Sequence, residues 1–428
     1  MRLPPDHPLR IELNDEAHAR PSEALQAPLR LTFLALYTDR SQRDQEWLHV
    51  CELARRFGHE PPLRVSHYSA DLGPFRLKWE RHSEFTRYKF IVGGQCEDPF
   101  DPPALQAVPA DWLARLPGEV MIATHAALLP VGAETPDYDA LATRHFGGNV
   151  LVGAGIAAGA GLALTDFRIR DGFSRLLLLD RSMTPRQAGR TMQRLLEIDT
   201  YRLMALLALP VAHGLTPWLN EAERELAEIT AALVESSEAS EPVLLERLTR
   251  LEAEIESRQS AHHFRFSAAK AYHELVQRRI EELREVRSQG LQTFREFTER
   301  RLAPAMSTCA SVSVRVESLS QRVARATELL STRVAVSRER QNQQVLESMN
   351  RRAEAQLRLQ QTVEGLSAAA ITYYVVGLVG YAAKGVKAFG WPVNVDLTMA
   401  ISIPIVALVT LLGVRHVRKV VTRSANIG

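Results

Sequence analysis

The chain of 428 residues contains few cysteines, and the 3 that it has are scattered. Cys51, Cys96 and Cys309 are odd in number and far apart in sequence, so they form neither a disulfide framework nor a metal-binding knuckle. This scarcity excludes a small secreted fold stabilised by disulfides. It predicts a chain that works in a reducing compartment.

Lysine is also scarce, although positive charge is not. Only 6 of the 52 basic residues are lysine, and 50 acidic residues leave a net charge of +2. The arginines are spread evenly among the acidic residues and form no basic patch, so the sequence predicts no nucleic-acid partner. Residues 1–21 contain no apolar run of the length that a secretory signal needs, which predicts that this end stays in the cytoplasm.

Glycine and proline are absent from residues 305–364. This absence predicts one long helix, which would measure about 120 Å if it continued through residue 383 at about 1.5 Å per residue. Apolar residues in it alternate spacings of four and three, which is typical of a coiled-coil seam. The seam consists of Val312, Val316, Leu319, Val323, Ala326 and Leu330. Such a helix needs partners, either the preceding helix or copies of itself, and we expect self-association through this stalk.

Charged residues are absent from residues 366–383 and from residues 397–414, two runs of 18 residues each. Each run just reaches the length that spans a hydrocarbon core about 30 Å thick, so the lipid bilayer is an expected partner. The basic residues that flank the second run are Arg415, Arg418, Lys419 and Arg423. They outnumber Lys384 and Lys387 of the intervening loop, which predicts a multi-pass protein of the inner membrane with both termini cytoplasmic.

Residues 1–182 combine strand-like and helix-like patterns. Residues 29–37 are rich in strand-forming side chains, and residues 41–58 have helical spacing that ends at a glycine. Residues 75–92 resemble a hairpin with its turn near His82 and Ser83. These patterns predict an α+β cytoplasmic domain.

Glycines at positions 153, 155, 159 and 161 invite comparison with nucleotide-binding loops. Their order is G-x-G-x-x-x-G-x-G without a lysine, which matches neither a dinucleotide-binding loop nor a Walker A loop. We interpret this run as small residues on a closely packed, buried pair of strands.

Helical patterns dominate from residue 183 onward. Thr184 and Pro185 form a helix start, Pro210 should end that helix, and Thr216 repeats the start signal. A charged helix from residue 243 should end at Gly290. The predicted order is a cytoplasmic α/β domain at 1–182, a helical region at 183–304 with a hinge near 236–242, a stalk helix at 305–365, membrane spans at 366–383 and 397–414 around an external loop at 384–396, and a basic tail at 415–428.

Motifs for catalysis are also missing. The sequence contains no nucleophile motif, no HExxH and no phosphate loop, so we predict that the protein is not an enzyme. Two motifs could supply metal ligands, since "NDEAHARP" contains Glu16 and His18, and "WERHSEF" places Glu80, His82 and Glu84 on one face of a strand. Turn and salt-bridge roles explain both motifs as well. A divalent cation is the one candidate cofactor.

The order of the parts resembles the CorA family of divalent-cation channels. That resemblance implies a pentamer in which the long helix lines a pore. CorA proteins close the first span with Gly-Met-Asn, whereas this chain has "VVGLVGYAAKG" there, so selectivity for Mg²⁺ is not implied. Across nearly the whole chain, "NDEAHARP", "WERHSEF", "TYRLMALLALP" and "QLRLQQTVEGLSAAAITYY" resemble a family of bacterial membrane-anchored proteins without an established activity.

If the first span lines a pore, one helix face should carry the lining residues. The candidates are Glu364, Ser367, Ile371, Tyr374, Leu378 and Tyr381. Glu364 would either form a carboxylate ring at the cytoplasmic mouth or be a solvated residue at the membrane surface. Two functions stay open: a homo-oligomer that conducts or senses divalent cations, and a non-conducting membrane-anchored scaffold or sensor that binds a cytoplasmic partner.

Overall fold

The computed structural model describes residues 6–11, 13–14, 22–95, 97–132, 136–235, 239–388, 390, 392 and 394–425, with side chains of the last helix described as far as His416. The strands are β1 (Leu29–Tyr37), β2 (His67–Asp71), β3 (Arg76–Arg81), β4 (Phe85–Gly93), β5 (Glu119–Pro130), β6 (Val152–Ile156), β7 (Gly161–Thr165) and β8 (Ser174–Asp180). The α-helices are α1 (Arg43–Arg56), α2 (Ala110–Leu113), α3 (Tyr138–Phe146), α4 (Pro185–Leu206), α5 (Ala208–Glu235), α6 (Glu241–Leu283), α7 (Phe294–Arg301), α8 (Ala303–Ala388) and α9 (Val395–Ala425).

The strands form a single 8-stranded sheet in the order β2-β3-β4-β1-β5-β8-β7-β6. Neighbouring strands are antiparallel, except that β5 and β8 are parallel. Large apolar side chains cover the β3 and β4 end of the sheet, where Trp79, Tyr88, Phe90 and Trp112 are fully buried in one core. The sheet with helices packed on it confirms the predicted α+β class.

The glycine-rich run forms β6, β7 and the turn between them. A Cβ atom at Gly153 would lie 2.5 Å from the backbone oxygen of Ala163, and one at Gly161 would lie 2.8 Å from Met183. Neighbours this close leave room only for glycine. The interpretation of this run as closely packed strands is therefore confirmed.

The helix start at Thr184 is confirmed, because the Thr184 hydroxyl accepts a hydrogen bond from the backbone N–H of Gln187 at 3.3 Å. The predicted boundaries at Pro210 and Thr216 are wrong. α5 begins at Ala208, so Pro210 lies in its first turn, where a backbone N–H has no partner to lose. Thr216 lies inside α5 and donates its hydroxyl proton to the Ala212 carbonyl at 2.8 Å.

α6 ends at Leu283 and not at Gly290, because the following residues bond along the edge of the sheet. The N–H of Gly155 on β6 donates to the Val286 oxygen at 2.9 Å, and the Val286 N–H donates back to the Gly155 oxygen at 2.7 Å. The N–H of Gly153 donates to the Gln292 oxygen at 2.8 Å. This segment therefore pairs the backbone groups that β6 would otherwise leave open at the sheet edge.

The described chain divides into two compact units. The first consists of Met1–Glu235 and Val243–Thr327 and contains the sheet, and the second consists of Ser236–Pro242 and Glu328–Gly428 and contains the rest of α8 together with α9. The expectation of one long helix is confirmed, since α8 is 86 residues long.

All residues of the predicted coiled-coil seam except Leu330 lie on the part of α8 that belongs to the first unit, and Leu319 and Val323 in it are fully buried. Side chains beside the seam bind the preceding helices. Arg315 donates to Glu223 of α5 at 2.8 Å, and Gln259 of α6 donates to Glu317 at 2.8 Å. The chain therefore fills this seam with its own helices, and self-association through the stalk stays a prediction for its other faces.

Candidate functional site

The second unit presents two apolar helices that pair as a hairpin. The end of α8 and residues Val395–His416 of α9 are both long and apolar enough to cross a membrane. Most large side chains of both helices are exposed, including Leu366, Leu378, Ile401 and Leu408. Apolar surface of this extent is unfavourable in water and favourable in hydrocarbon.

Small residues form the contact between the two helices. A Cβ atom at Gly380 would lie 2.8 Å from the Met399 sulfur, so the Met399 side chain packs directly against the α8 backbone there. Ala368 and Val376 lie on the same side of α8 and are buried. The groove along the contact is lined by Gly365, Ala368, Ala369, Thr372, Tyr373, Tyr374, Val376, Gly377, Leu378, Gly380, Tyr381, Lys384, Met399, Ile403, Ala407 and Leu411.

We expect Gly380→Ile to weaken the hairpin, because a branched side chain would push Met399 out of its place. Gly377→Ile is the matched control, since nothing lies within 4 Å of a Cβ atom at Gly377. The measurement is the fraction of full-length protein that survives heating in detergent. Gly380→Ile should lower the stability of the hairpin by about 1–3 kcal/mol, and Met399→Ala in the same chain should restore part of that stability. Equal losses for the two glycine variants would contradict this packing.

The candidate pore-lining residues lie largely exposed on α8, and three of them, Tyr374, Leu378 and Tyr381, also line the groove beside α9. Tyr374, Leu378 and Tyr381 are each more than two thirds exposed, and Ile371 is about half exposed. Ser367 is also exposed. Glu364 is half-buried and accepts a hydrogen bond from the Gln360 amide at 3.4 Å. The structure thus brings the predicted face together on one helix surface that is free to contact lipid or another copy.

The residues predicted to flank the second span are described only in part. Arg415 is exposed near the end of α9. Arg418, Lys419 and Arg423 belong to the helical part of α9, but their side chains lie outside the described part of the chain.

The candidate metal ligands do not form one site in the described residues. Glu16 and His18 lie outside them. The expectation that Glu80, His82 and Glu84 share a strand face is wrong, because β3 ends at Arg81 and the other two residues lie in the turn before β4. Across the described ranges, no group of three His, Cys, Asp or Glu side chains could hold a metal ion.

The Glu80 and Glu84 carboxylates bind different side chains. The Glu80 carboxylate lies 2.7 Å from Arg87 and 3.2 Å from Lys78. The Glu84 carboxylate binds the Arg265 guanidinium and accepts a hydrogen bond from the Tyr272 hydroxyl at 3.0 Å. The salt-bridge alternative for "WERHSEF" is therefore the one that the structure shows.

The charges of β3 and β4 form a buried cluster in the predicted hairpin. Its members on the strands are Lys78, Glu80, Arg87 and Lys89, each 5% exposed or less. Lys78 and Lys89 lie opposite each other on neighbouring strands, where like charges repel. The Glu23 carboxylate lies 3.7 Å from the first ammonium and 3.3 Å from the second, which offsets the repulsion.

Arg87 lies at the centre of this cluster and connects the sheet to the helices. Its guanidinium lies 2.7 Å from Glu80 on β3 and 3.0 Å from Glu197 on α4. Arg279 of α6 binds the other oxygen of Glu197 at 2.5 Å. Burial raises the pKa of Glu80, but the charges of Arg87, Lys89 and Lys78 outweigh it and lower the pKa to about 2. Glu80 is therefore ionised at neutral pH, and the ion pairs of Arg87 and Arg279 connect the sheet to α4 and α6.

The fold and these sites define a protein of two parts, in which a sheet-and-helix unit precedes two helices long and apolar enough to cross a membrane. The chain belongs to the family described as Protein of unknown function (DUF3422), whose family model matches residues 5–421. This membership confirms the resemblance to a family without an established activity. No curated protein and no solved structure matches the chain.

Proposed function

We propose that this protein is a multi-pass homo-oligomer of the bacterial inner membrane that holds its sheet-and-helix unit in the cytoplasm and surrounds a path for cations with the first span. The observation that carries the proposal is the orientation of the first span. Gly380 of the span packs against Met399 of α9, whereas Tyr374, Leu378 and Tyr381 form a side that stays mostly exposed and reaches the rim of the groove beside α9. Several copies arranged around a common axis can bury that exposed side, which one copy alone leaves open.

Glu364 supports a path for cations, because it lies at the start of the same face. A ring of carboxylates at a pore mouth concentrates cations near the opening. The layout is similar to that of CorA channels, but the chain has no Gly-Met-Asn after its first span. The proposal therefore includes divalent cations as a class and names no selective ion.

The test is cation flux into liposomes that contain the purified full-length protein. We expect Glu364→Gln to reduce the flux several-fold at low salt, because it removes the ring charge without changing the side-chain size. Glu354→Gln is the matched control. Glu354 is an exposed carboxylate on the same helix, and it lies about 80° to 180° around the helix axis from the candidate pore-lining residues. A monomeric mass in detergent would exclude a shared path.

A second function, a non-conducting membrane-anchored scaffold or sensor, is favoured by the chemistry of the same face. Beyond Glu364 and Ser367 the face is apolar and aromatic, which suits a sealed contact between copies. In that case the cytoplasmic unit would bind a partner while the spans serve only as an anchor. An oligomer that passes none of the cations tested would favour this function.

A further inference from the structure

The part of α8 between the first unit and the first span carries an exposed apolar stripe. It consists of Val345, Met349, Leu359, Val363 and Leu366, each more than half exposed. We call these residues the stalk stripe. No element of the described chain covers them, although a helix of this kind gains most of its stability in water from packing of its apolar side.

The stalk stripe occupies one side of the helix, and the charges occupy the other. At about 100° per residue, the five stripe residues fall within a sector of about 100°. Glu347, Arg351, Glu354 and Arg358 fall within about 60° of one another on the opposite side. The Arg351 guanidinium and the Glu347 carboxylate lie 3.8 Å apart on that charged side. Arg352 interrupts this separation, and exposed Leu346 and Leu357 widen the apolar side, but the pattern is that of a helix with one packed side and one solvated side.

The buried side of the first span lies on the same side of α8 as these charges. Ala368, Val376 and Gly380 follow the charged sector, and α9 packs there. The stalk stripe therefore continues on the exposed side of α8, where it meets Tyr374. A partner that covers the stripe can follow α8 into the membrane without displacing α9.

We propose that the stalk stripe is the surface on which a second copy of this chain packs, in parallel and in register. This proposal rests on the proposed homo-oligomer and identifies its contact surface. Val363 and Leu366 carry the stripe to the start of the first span, so its occupant must accompany it to the bilayer. Copies anchored in one membrane with one orientation have their stripes at the same height and with the same chain direction, so two stripes can face each other along their whole length.

The spacing of the stripe fits this occupant. From Val345 the positions 345, 349, 352, 356, 359, 363 and 366 alternate steps of four and three, the repeat of parallel coiled coils. Two of these positions are polar, Arg352 and Gln356. Arg352 can extend its charged end to water beside the contact while its stem covers apolar surface. The neighbouring positions Ser348, Ala353, Ala355 and Gln360 carry no charge, so the like-charge contact between identical helices is limited to Arg352, whose charged end reaches water.

The experiment is disulfide cross-linking of full-length protein in native membranes. Leu359→Cys and Val363→Cys place a thiol on the stripe, and Glu354→Cys and Arg358→Cys place one on the charged side. All four are made in a Cys96→Ser background, since Cys51 and Cys309 are buried. A disulfide requires Cβ atoms about 4 Å apart, so we expect the stripe variants to form linked dimers several-fold faster than the controls under mild oxidation.

The outcomes separate this inference from the proposed function. An oligomer in detergent whose cross-links are equal on both sides, strongest on the charged side, or absent at the stripe overturns the stalk stripe and leaves the homo-oligomer standing. A monomeric mass in detergent overturns both. Cross-links confined to the stripe support the parallel contact whether or not the oligomer conducts.

Discussion

Gly189→Ala should lower the free energy of unfolding of the sheet-and-helix unit by about 3 kcal/mol. Gly189 lies inside α4, where alanine is ordinarily the better helix residue. A Cβ atom at this position would lie 1.7 Å from the backbone oxygen of Glu23. The obstacle is backbone, which cannot rotate away as a side chain can, so the segment that crosses α4 must move.

Movement of this segment would also disturb the charge cluster. The N–H of Leu25 donates to the Pro185 oxygen at 2.9 Å and fixes the segment against the start of α4. Glu23 supplies the carboxylate that lies between Lys78 and Lys89. Without it the two facing ammonium groups lose their shared counter-charge in a buried place, which adds an electrostatic cost to the steric one.

The measurement is denaturant unfolding of the full-length protein in detergent, followed by tryptophan fluorescence, to which buried Trp79 and Trp112 contribute. Gly214→Ala is the matched control, because Gly214 lies inside α5 and nothing is within 4 Å of a Cβ atom there. That variant should be unchanged or more stable by up to about 1 kcal/mol. If both variants unfold at the same denaturant concentration, the crossing at Gly189 does not constrain the fold.

The features that the sequence predicts well are those set by local chemistry. Two runs without charge predict the two apolar helices, because length and composition alone decide whether a helix can cross a bilayer. Thr184 followed by Pro185 predicts a helix start, because a hydroxyl cap and a fixed φ act within one turn. The spacing of the glycines from 153 to 161 excludes a phosphate loop without any knowledge of the fold.

The features that the sequence does not predict depend on distant contacts. Proline at 217 suggests a second helix start, but the packing of Leu215 and Leu219 keeps α5 continuous through it. The seam from Val312 to Leu330 has the spacing of a coiled coil, and nothing in that spacing distinguishes copies of the chain from its own α5 and α6. The spacing of apolar residues alone does not indicate the stalk stripe, because polar Arg352 and Gln356 occupy two of its positions.

Burial of the charges on β3 and β4 is the largest departure from the sequence pattern. Alternating charges on a hairpin indicate a solvated face when the partners are unknown. Here the partners are Glu197 on α4 and Arg279 on α6, which are far from the hairpin in sequence. Only the fold shows that they are adjacent, so the cluster is a tertiary feature.

Arg87→Met should destabilise the sheet-and-helix unit by about 3–5 kcal/mol at neutral pH, because it removes the cation from between two buried carboxylates. Methionine has a similar length and fills the same space, so the loss reports charge and hydrogen bonding more than volume. Arg56→Met is the matched control. Arg56 lies 2.8 Å from Asp111, but both side chains are largely exposed, and pairs of that kind contribute about 0–1 kcal/mol.

The pH dependence separates loss of charge from loss of packing. Glu80 has a folded pKa of about 2, below its ordinary value, so its stabilising effect is complete above about pH 5 and is lost as the pH falls toward 2. Burial raises the pKa of Glu197, but Arg87 and Arg279 outweigh it and lower the pKa, so Glu197 acts in the same direction.

In Arg87→Met fewer cations oppose the effect of burial on the pKa values of Glu80 and Glu197. Both carboxyl groups should therefore bind protons at higher pH than in the parent. The difference in unfolding free energy between Arg87→Met and the parent should therefore shrink between pH 7 and pH 4.5, measured by denaturant titration at each pH. A difference that stays constant over this range would mean that Arg87 acts through packing. In that case the sheet, α4 and α6 would be held together by shape, and the charges of the cluster would only be tolerated.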